Sequence, residues 1–163
     1  MKNLSLVIIL NLIFFTSVYG QDYSSEAKSH FSKYLNTKAQ VELISNCFPS
    51  IYDCKLVFKG INAFTYFGYI EDMKSKLSEL EKINNKTFVD CRIESFTTYD
   101  IRNGKGNYAG GMEKIKDKLQ HNVTFYRVTY LKEKDAEFGT SYKYFVNIKG
   151  KWVFFPRTWE IFR

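Results

Sequence analysis

The chain has 163 residues, of which 45% are hydrophobic and 18% aromatic, so it can bury one core without staples and is not disordered. Its formal charge of +7 comes from Lys residues scattered among Glu and Asp. No basic run is interleaved with aromatics, which argues against nucleic acid and leaves a solvated surface with weak attraction to anionic ones.

Residues 1–20 read as an export leader, with cleavage expected after Gly20. Lys2 gives a positive start, and Leu4 to Phe15 is an apolar run too short to span a bilayer comfortably. The expected location is periplasmic or secreted, without a stable membrane anchor. The leader and the abundance of Lys, Asn, Phe and Tyr read as bacterial, so the glycosylation patterns at Asn85 and Asn122 are set aside. Residues 21–163 then form a single α+β domain with an insertion at about 100–121.

A first helix carries Ala27, Phe31, Tyr34 and Leu35, with Ser24 or Ser25 as its cap. Asn36-Thr37 interrupts, and a second helix carries Val41, Ile44, Cys47 and Phe48 until Pro49 ends it. Leu56-Val57-Phe58 reads as a short strand, broken by Lys59-Gly60. The strongest helical pattern follows: Tyr66, Ile70, Met73, Leu77 and Leu80 form one stripe, widened by Ala63 and Phe67. Asn84-Asn85 is a turn.

The rest reads as sheet. Thr87 to Tyr99 alternates, with Val89, Cys91 and Ile93 on one face. The insertion opens with a flexible Gly104/Gly106 turn and continues as a short helix bearing Met112, Ile115 and Leu119. Val123 to Lys132 and Phe138 to Ile148 are strands, the latter with Tyr142, Tyr144, Val146 and Ile148 on one face. Lys149-Gly150 is a tight hairpin and Trp152 to Phe162 the last strand. That strand carries large apolar groups on both faces. One face must therefore be covered by the insertion or by a second copy, which favours a homodimer.

This order, with Val57 to Phe64 entering the long helix and Ile148-Lys149-Gly150-Lys151-Trp152 at the closing hairpin, resembles the nuclear-transport-factor-2-like (SnoaL-like, cystatin-like cone) superfamily. The resemblance covers about residues 23 to 163 and rests on packing and turn motifs. It implies N-terminal helices packed in the concave face of a strongly curved, mostly antiparallel sheet, with a pocket inside the cone. Members include isomerases, dehydratases, cyclases and proteins with no catalysis.

Family enzymes use a pocket acid, often paired with Tyr or His. The catalytic candidate on that pattern is Asp53, with Tyr34 beside it, although a turn or cap role is the commoner one for such a residue. Arg127 and Arg157 lie on apolar strand faces, where an Arg must be paired, snorkel to the rim or reach a ligand. Tyr34, Tyr66, Arg127, Arg157 and Trp159 are the binding candidates. His30 and His121 read as structural, no metal pair or cofactor motif is present, and the Gly104 loop lacks a phosphate-loop ending. Cys47 and Cys54 can close a small disulfide loop or stay buried as thiols, with Cys91 left over.

Three functions follow. The first is an exported binding module for a small ligand or a protein partner. The second is a cofactor-free isomerase or hydrolase. The third is an envelope inhibitor or immunity-type protein acting through the insertion. A deep polar pocket would favour the first two, and an interior filled by Phe and Tyr the third.

Overall fold

The computed structural model describes residues 23–75 and 86–162. The leader, the stripe positions Leu77 and Leu80 and the Asn84-Asn85 turn lie outside the described residues. The fold is α+β: helices α1 (Ser24–Phe31), α2 (Thr37–Asn46), α3 (Ile51–Val57) and α4 (Ile61–Ser75) precede a sheet of β1 (Asp90–Thr97), β2 (Thr124–Leu131), β3 (Thr140–Ile148) and β4 (Lys151–Phe154). The strands are antiparallel in the order β1-β2-β3-β4. Helix α5 (Thr98–Arg102) and a 3-10 helix (Gly110–Lys118) fill the connection between β1 and β2.

Each helix start has a local cause. Asn36 caps α2, its side chain accepting from the Ala39 amide at 2.9 Å. Ser50 and Asp53 form a reciprocal capping box at α3, and Thr97 and Asp100 form a second one at α5. Tyr23 precedes α1 without a side-chain cap, so neither Ser24 nor Ser25 plays the expected part.

The strand expected at Leu56 to Phe58 is therefore mostly helix. Only Phe58 bridges, to Leu119, flanked by Lys59 N–H to Lys118 O (2.8 Å) and Gln120 N–H to Val57 O (2.8 Å). This short ladder ties the insertion to the α3–α4 corner. The long helix follows its stripe where it is described: Ala63, Tyr66 and Ile70 are buried, and Phe67 and Met73 pack at their edge.

Alternation along the strands splits the buried side chains into two cores on opposite faces of the sheet. One holds Phe96, Phe125, Tyr144, Val146, Val153 and Phe155 under α3, α4, α5 and the 3-10 helix. The other holds Cys91, Tyr126, Val128, Phe145, Trp152 and Phe154 under α1 and α2. The helices thus cover both faces, where the sequence placed them all in one concave face. The chain changes sides around the edge strand β4. There the Phe154 N–H donates to Cys47 O at 2.6 Å, and Lys151 lies 3.6 Å from Asp53. That crossing covers an otherwise open sheet edge.

Strand β3 departs from strict alternation for a visible reason. Tyr126 pairs with Phe145 and Val128 with Tyr142, so between these pairs one residue of β2 faces two of β3. Tyr144 takes φ +76° within this bulge. Tyr142 consequently falls in one core and Tyr144 with Val146 in the other.

Three more expectations change. Strand β1 starts at Asp90, so Val89 is exposed and Phe88 supplies the buried side chain. The last strand stops at Phe154, because Pro156 and Arg157 (φ +51°) turn the chain away. Both faces of β4 are apolar as expected, yet both are covered within the chain, which removes the reason for invoking a second copy. The Lys149-Gly150 hairpin has the two positive φ values of a type I′ turn, 53° and 84°.

Of the two alternatives for Cys47 and Cys54, a disulfide loop or buried thiols, the structure has the second: Cys47, Cys54 and Cys91 are free and buried. Cys47 belongs to one core and Cys54 to the other, so the seven-residue spacing does not bring the thiols together. Burial pushes Cys47 up to about 11 and Cys54, further raised by Asp53, up to about 12. A thiol with a raised folded pKa contributes stability that is complete below the ordinary thiol pKa and lost as pH rises through the folded value. The expected result is a melting temperature that falls between about pH 9 and pH 12, with all three thiols silent to a thiol reagent at neutral pH until the chain is unfolded. Rapid labelling of the native protein would contradict it.

Candidate functional site

Asp53 begins the account, because a catalytic reading rests on it. Its Oδ2 accepts from Ser50 N–H at 2.9 Å and Ser50 Oγ at 2.8 Å, and Lys151 lies at 3.6 Å. These bonds are those of a helix cap, and they occupy the carboxylate that a general base would need free. Among the described residues no Tyr or His bonds to it: Tyr34 lies under the other face of the sheet, beside His30 at 5.5 Å between rings.

Tyr66 is fully buried and donates to Pro156 O at 2.7 Å. Its ring stacks on Phe58 at 4.6 Å, and burial raises its phenol well above the ordinary value. It is a core residue. Arg157 is exposed and pairs with Glu160 at 3.6 Å, one turn on.

Arg127 and Trp159 are brought together through Tyr144. Trp159 packs edge-on to Tyr144 at 5.2 Å and lies against Gly111, where a Cβ would meet its indole at 2.3 Å. Burial raises the Tyr144 phenol, and Arg127 nearby opposes the shift. Arg127 is the direct cross-strand neighbour of Glu94 and sits 3.4 Å from its carboxylate. It also donates to Asn107 O at 2.7 Å, while Asn107 Nδ2 donates to Glu94 at 2.9 Å. Arg127 Nε is buried without a hydrogen-bond partner. This triangle fastens the loop before the 3-10 helix onto β1 and β2, so the pairing with a structural Glu accounts for Arg127.

The insertion is likewise part of the core: Met112, Ile115 and Leu119 are buried, and Thr158 Oγ1 lies 3.3 Å from Met112 Sδ. The space expected for a pocket is occupied by Phe58, Tyr66, Phe96, Phe125, Tyr144 and Phe155.

His30 packs among Phe31, Tyr34 and Trp152, with its pKa lowered by burial and by Lys33. His121 contacts Arg102 at 3.2 Å. Among the described residues no group of three His, Cys, Asp or Glu side chains gathers to hold a metal ion. An open groove of about 550 Å³ runs between α1 and β1, lined in part by Ser25, Lys28, Asp90, Arg92 and Asp135. Three of its charged side chains, Lys28, Asp90 and Arg92, are engaged. Lys28 bonds Asp90 and Cys91 O and so holds the Asp90 carboxyl below its usual range, while Arg92 donates to Ala136 O and Glu137 O.

What sequence reasoning missed is on the outside. Tyr52, Leu56, Ile61 and Phe64 are exposed large apolar residues on consecutive helices α3 and α4. Lys55 lies over the rings of both Tyr52 (5.6 Å) and Phe64 (5.0 Å). The signal was available: all four fall off the helical faces that carry Cys54, Val57, Ala63, Tyr66 and Ile70. No family model, curated protein or solved structure matches the chain.

Proposed function

We propose that this protein is an exported, non-catalytic interaction module that works through its surface and not through an internal pocket. The observation that carries the reading is the interior itself, where Phe58, Tyr66, Phe96, Phe125, Tyr144 and Phe155 occupy the volume a cone pocket would need. The engagement of Asp53 in its capping box supports it by occupying the acid named for an isomerase or hydrolase reading. Export rests on the leader composition of residues 1–20. The cone-fold reading is supported by the order of helices before an antiparallel meander. The second helical layer over Trp152 departs from its simplest form.

The contact surface runs from the α3–α4 corner to the insertion, which Phe58–Leu119 pairing makes continuous. This favours a macromolecular partner over a small ligand. Native mass spectrometry of protein recovered from expressing cells tests the reading. The bare mass of the chain is expected. A stoichiometric small-molecule adduct that survives Tyr52→Ser with Phe64→Ser but is lost with Phe125→Ala would place a ligand inside and overturn it.

A further inference from the structure

We propose that the α3–α4 corner seats on an anionic lipid surface, an inference that rests on the surface-contact reading above. Four of the exposed large hydrophobic residues, Tyr52, Leu56, Ile61 and Phe64, belong to these two helices. Single exposed apolar residues are ordinary, but a group on one corner is a docking signature. Cations are interleaved with it. Lys55 spans Tyr52 and Phe64, and Lys59 and Lys118 meet through their backbones at its border. Among the described residues none of these three Lys has a carboxylate partner. Asp53 is held in its cap, and Glu71, further along α4, pairs with Lys74. Asp117 and Glu113 on the 3-10 helix are the nearest acidic positions in sequence to Lys118.

The chemistry selects lipid over an acidic protein. Protein interfaces are enriched in Arg, whose planar fork grips carboxylates, and depleted in Lys. Here the cations without an acceptor among the described residues are Lys, point charges on apolar stems, whereas Arg102 beside Lys118 donates to the carbonyls of Lys116, Leu119 and Gln120. Such stems lie along a hydrocarbon boundary while the ammonium groups reach phosphates, and aromatic rings settle at the same depth. The net charge of +7 adds long-range attraction of the same sign.

The test uses the full chain with phosphatidylcholine vesicles, with and without a minor fraction of phosphatidylglycerol, read by co-sedimentation and hydrogen exchange. Binding is expected only with the anionic lipid and should weaken with salt. New exchange protection should be confined to residues 51–68, a local readout that separates the corner from the apolar leader. Lys55→Gln and Lys59→Gln should each weaken binding about five-fold. Tyr52→Ser with Phe64→Ser should abolish the protection while leaving the melting temperature near that of the parent. If the double variant proves unstable, the variants of the exposed Lys55 and the half-buried Lys59 decide. Equal protection by neutral vesicles, or protection indifferent to these variants, overturns the proposal. So does protection of residues 51–68 by polyglutamate alone without any by anionic vesicles, which assigns the corner to an acidic protein. In each of those cases a bare native mass leaves the surface-contact reading standing.

Discussion

Tyr66→Ala is expected to lower the unfolding free energy by ~3–5 kcal/mol. The side chain is wholly buried, stacked on Phe58 at 4.6 Å and tilted against Phe155 at 5.7 Å, and its hydroxyl holds Pro156 O at 2.7 Å. Truncation opens a cavity lined by rings that rest on the sheet and cannot collapse into it. It also leaves the Pro156 carbonyl without its donor, at the point where the chain leaves β4. Tyr66→Phe separates the two contributions, because it keeps the ring and removes only the bond, for a loss of about 1–3 kcal/mol. Against the usual total of roughly 5–15 kcal/mol, the Ala variant stands close to unfolding at ambient temperature. Urea denaturation reads both, and the midpoint should fall at an unchanged slope. A loss near zero for Tyr66→Ala would mean that the interior has slack, and would return the pocket reading to favour.

The same side chain shows what was legible in advance. Tyr66 and Ile70 were placed on the buried face by helical spacing alone, because a stripe at that period can only be satisfied by packing. Met112, Ile115 and Leu119 were legible for the same reason, and Lys149-Gly150 because a two-residue hairpin needs positive φ. The helices α3 and α5 were missed although each announces itself with a capping box, Ser50 to Asp53 and Thr97 to Asp100. Strand preference at Leu56-Val57-Phe58 outweighed a backbone hydrogen-bond signal three residues upstream.

The bulge at Tyr144 had no local signature that alternation could read. It reverses which face Tyr142 occupies, and with it the neighbours of Arg127. The candidate site suffered most from this. Arg127 and Trp159 belong to one cluster through Tyr144, which keeps the face of Val146 and Ile148 while Tyr142 leaves it. Asp53, chosen for its chemistry, was already engaged by local hydrogen bonds. The exposed corner stays hidden in the sequence because Leu56 reads as strand and Tyr52, Ile61 and Phe64 fall off the stripe without a pattern of their own.

Trp152→Ala is expected to cost ~3–5 kcal/mol as well, and by the same amount at every protein concentration. Trp152 is 6% exposed although it sits on β4, an edge strand whose two faces both bear large apolar groups. Its cover is the chain's own: from the first helix Phe31 lies 5.1 Å from its ring and His30 6.1 Å, and Tyr126 of β2 meets it edge-on at 5.1 Å. Behind them Phe145 and Phe154 pack at 4.7 Å. Two intrachain layers therefore do what a second copy would otherwise have to do for this face. A cover belonging to the same chain contributes a unimolecular term, whereas a partner's cover would grow with concentration by mass action. Thermal unfolding of parent and variant across a wide dilution series distinguishes them. A constant difference assigns the face to α1 and α2. A difference that shrinks on dilution, as the parent loses its partner, would restore the homodimer. Phe31→Ala supplies the complementary arm: it should destabilise comparably and shift the Trp152 fluorescence to the red, because removing the ring exposes the indole from the helix side.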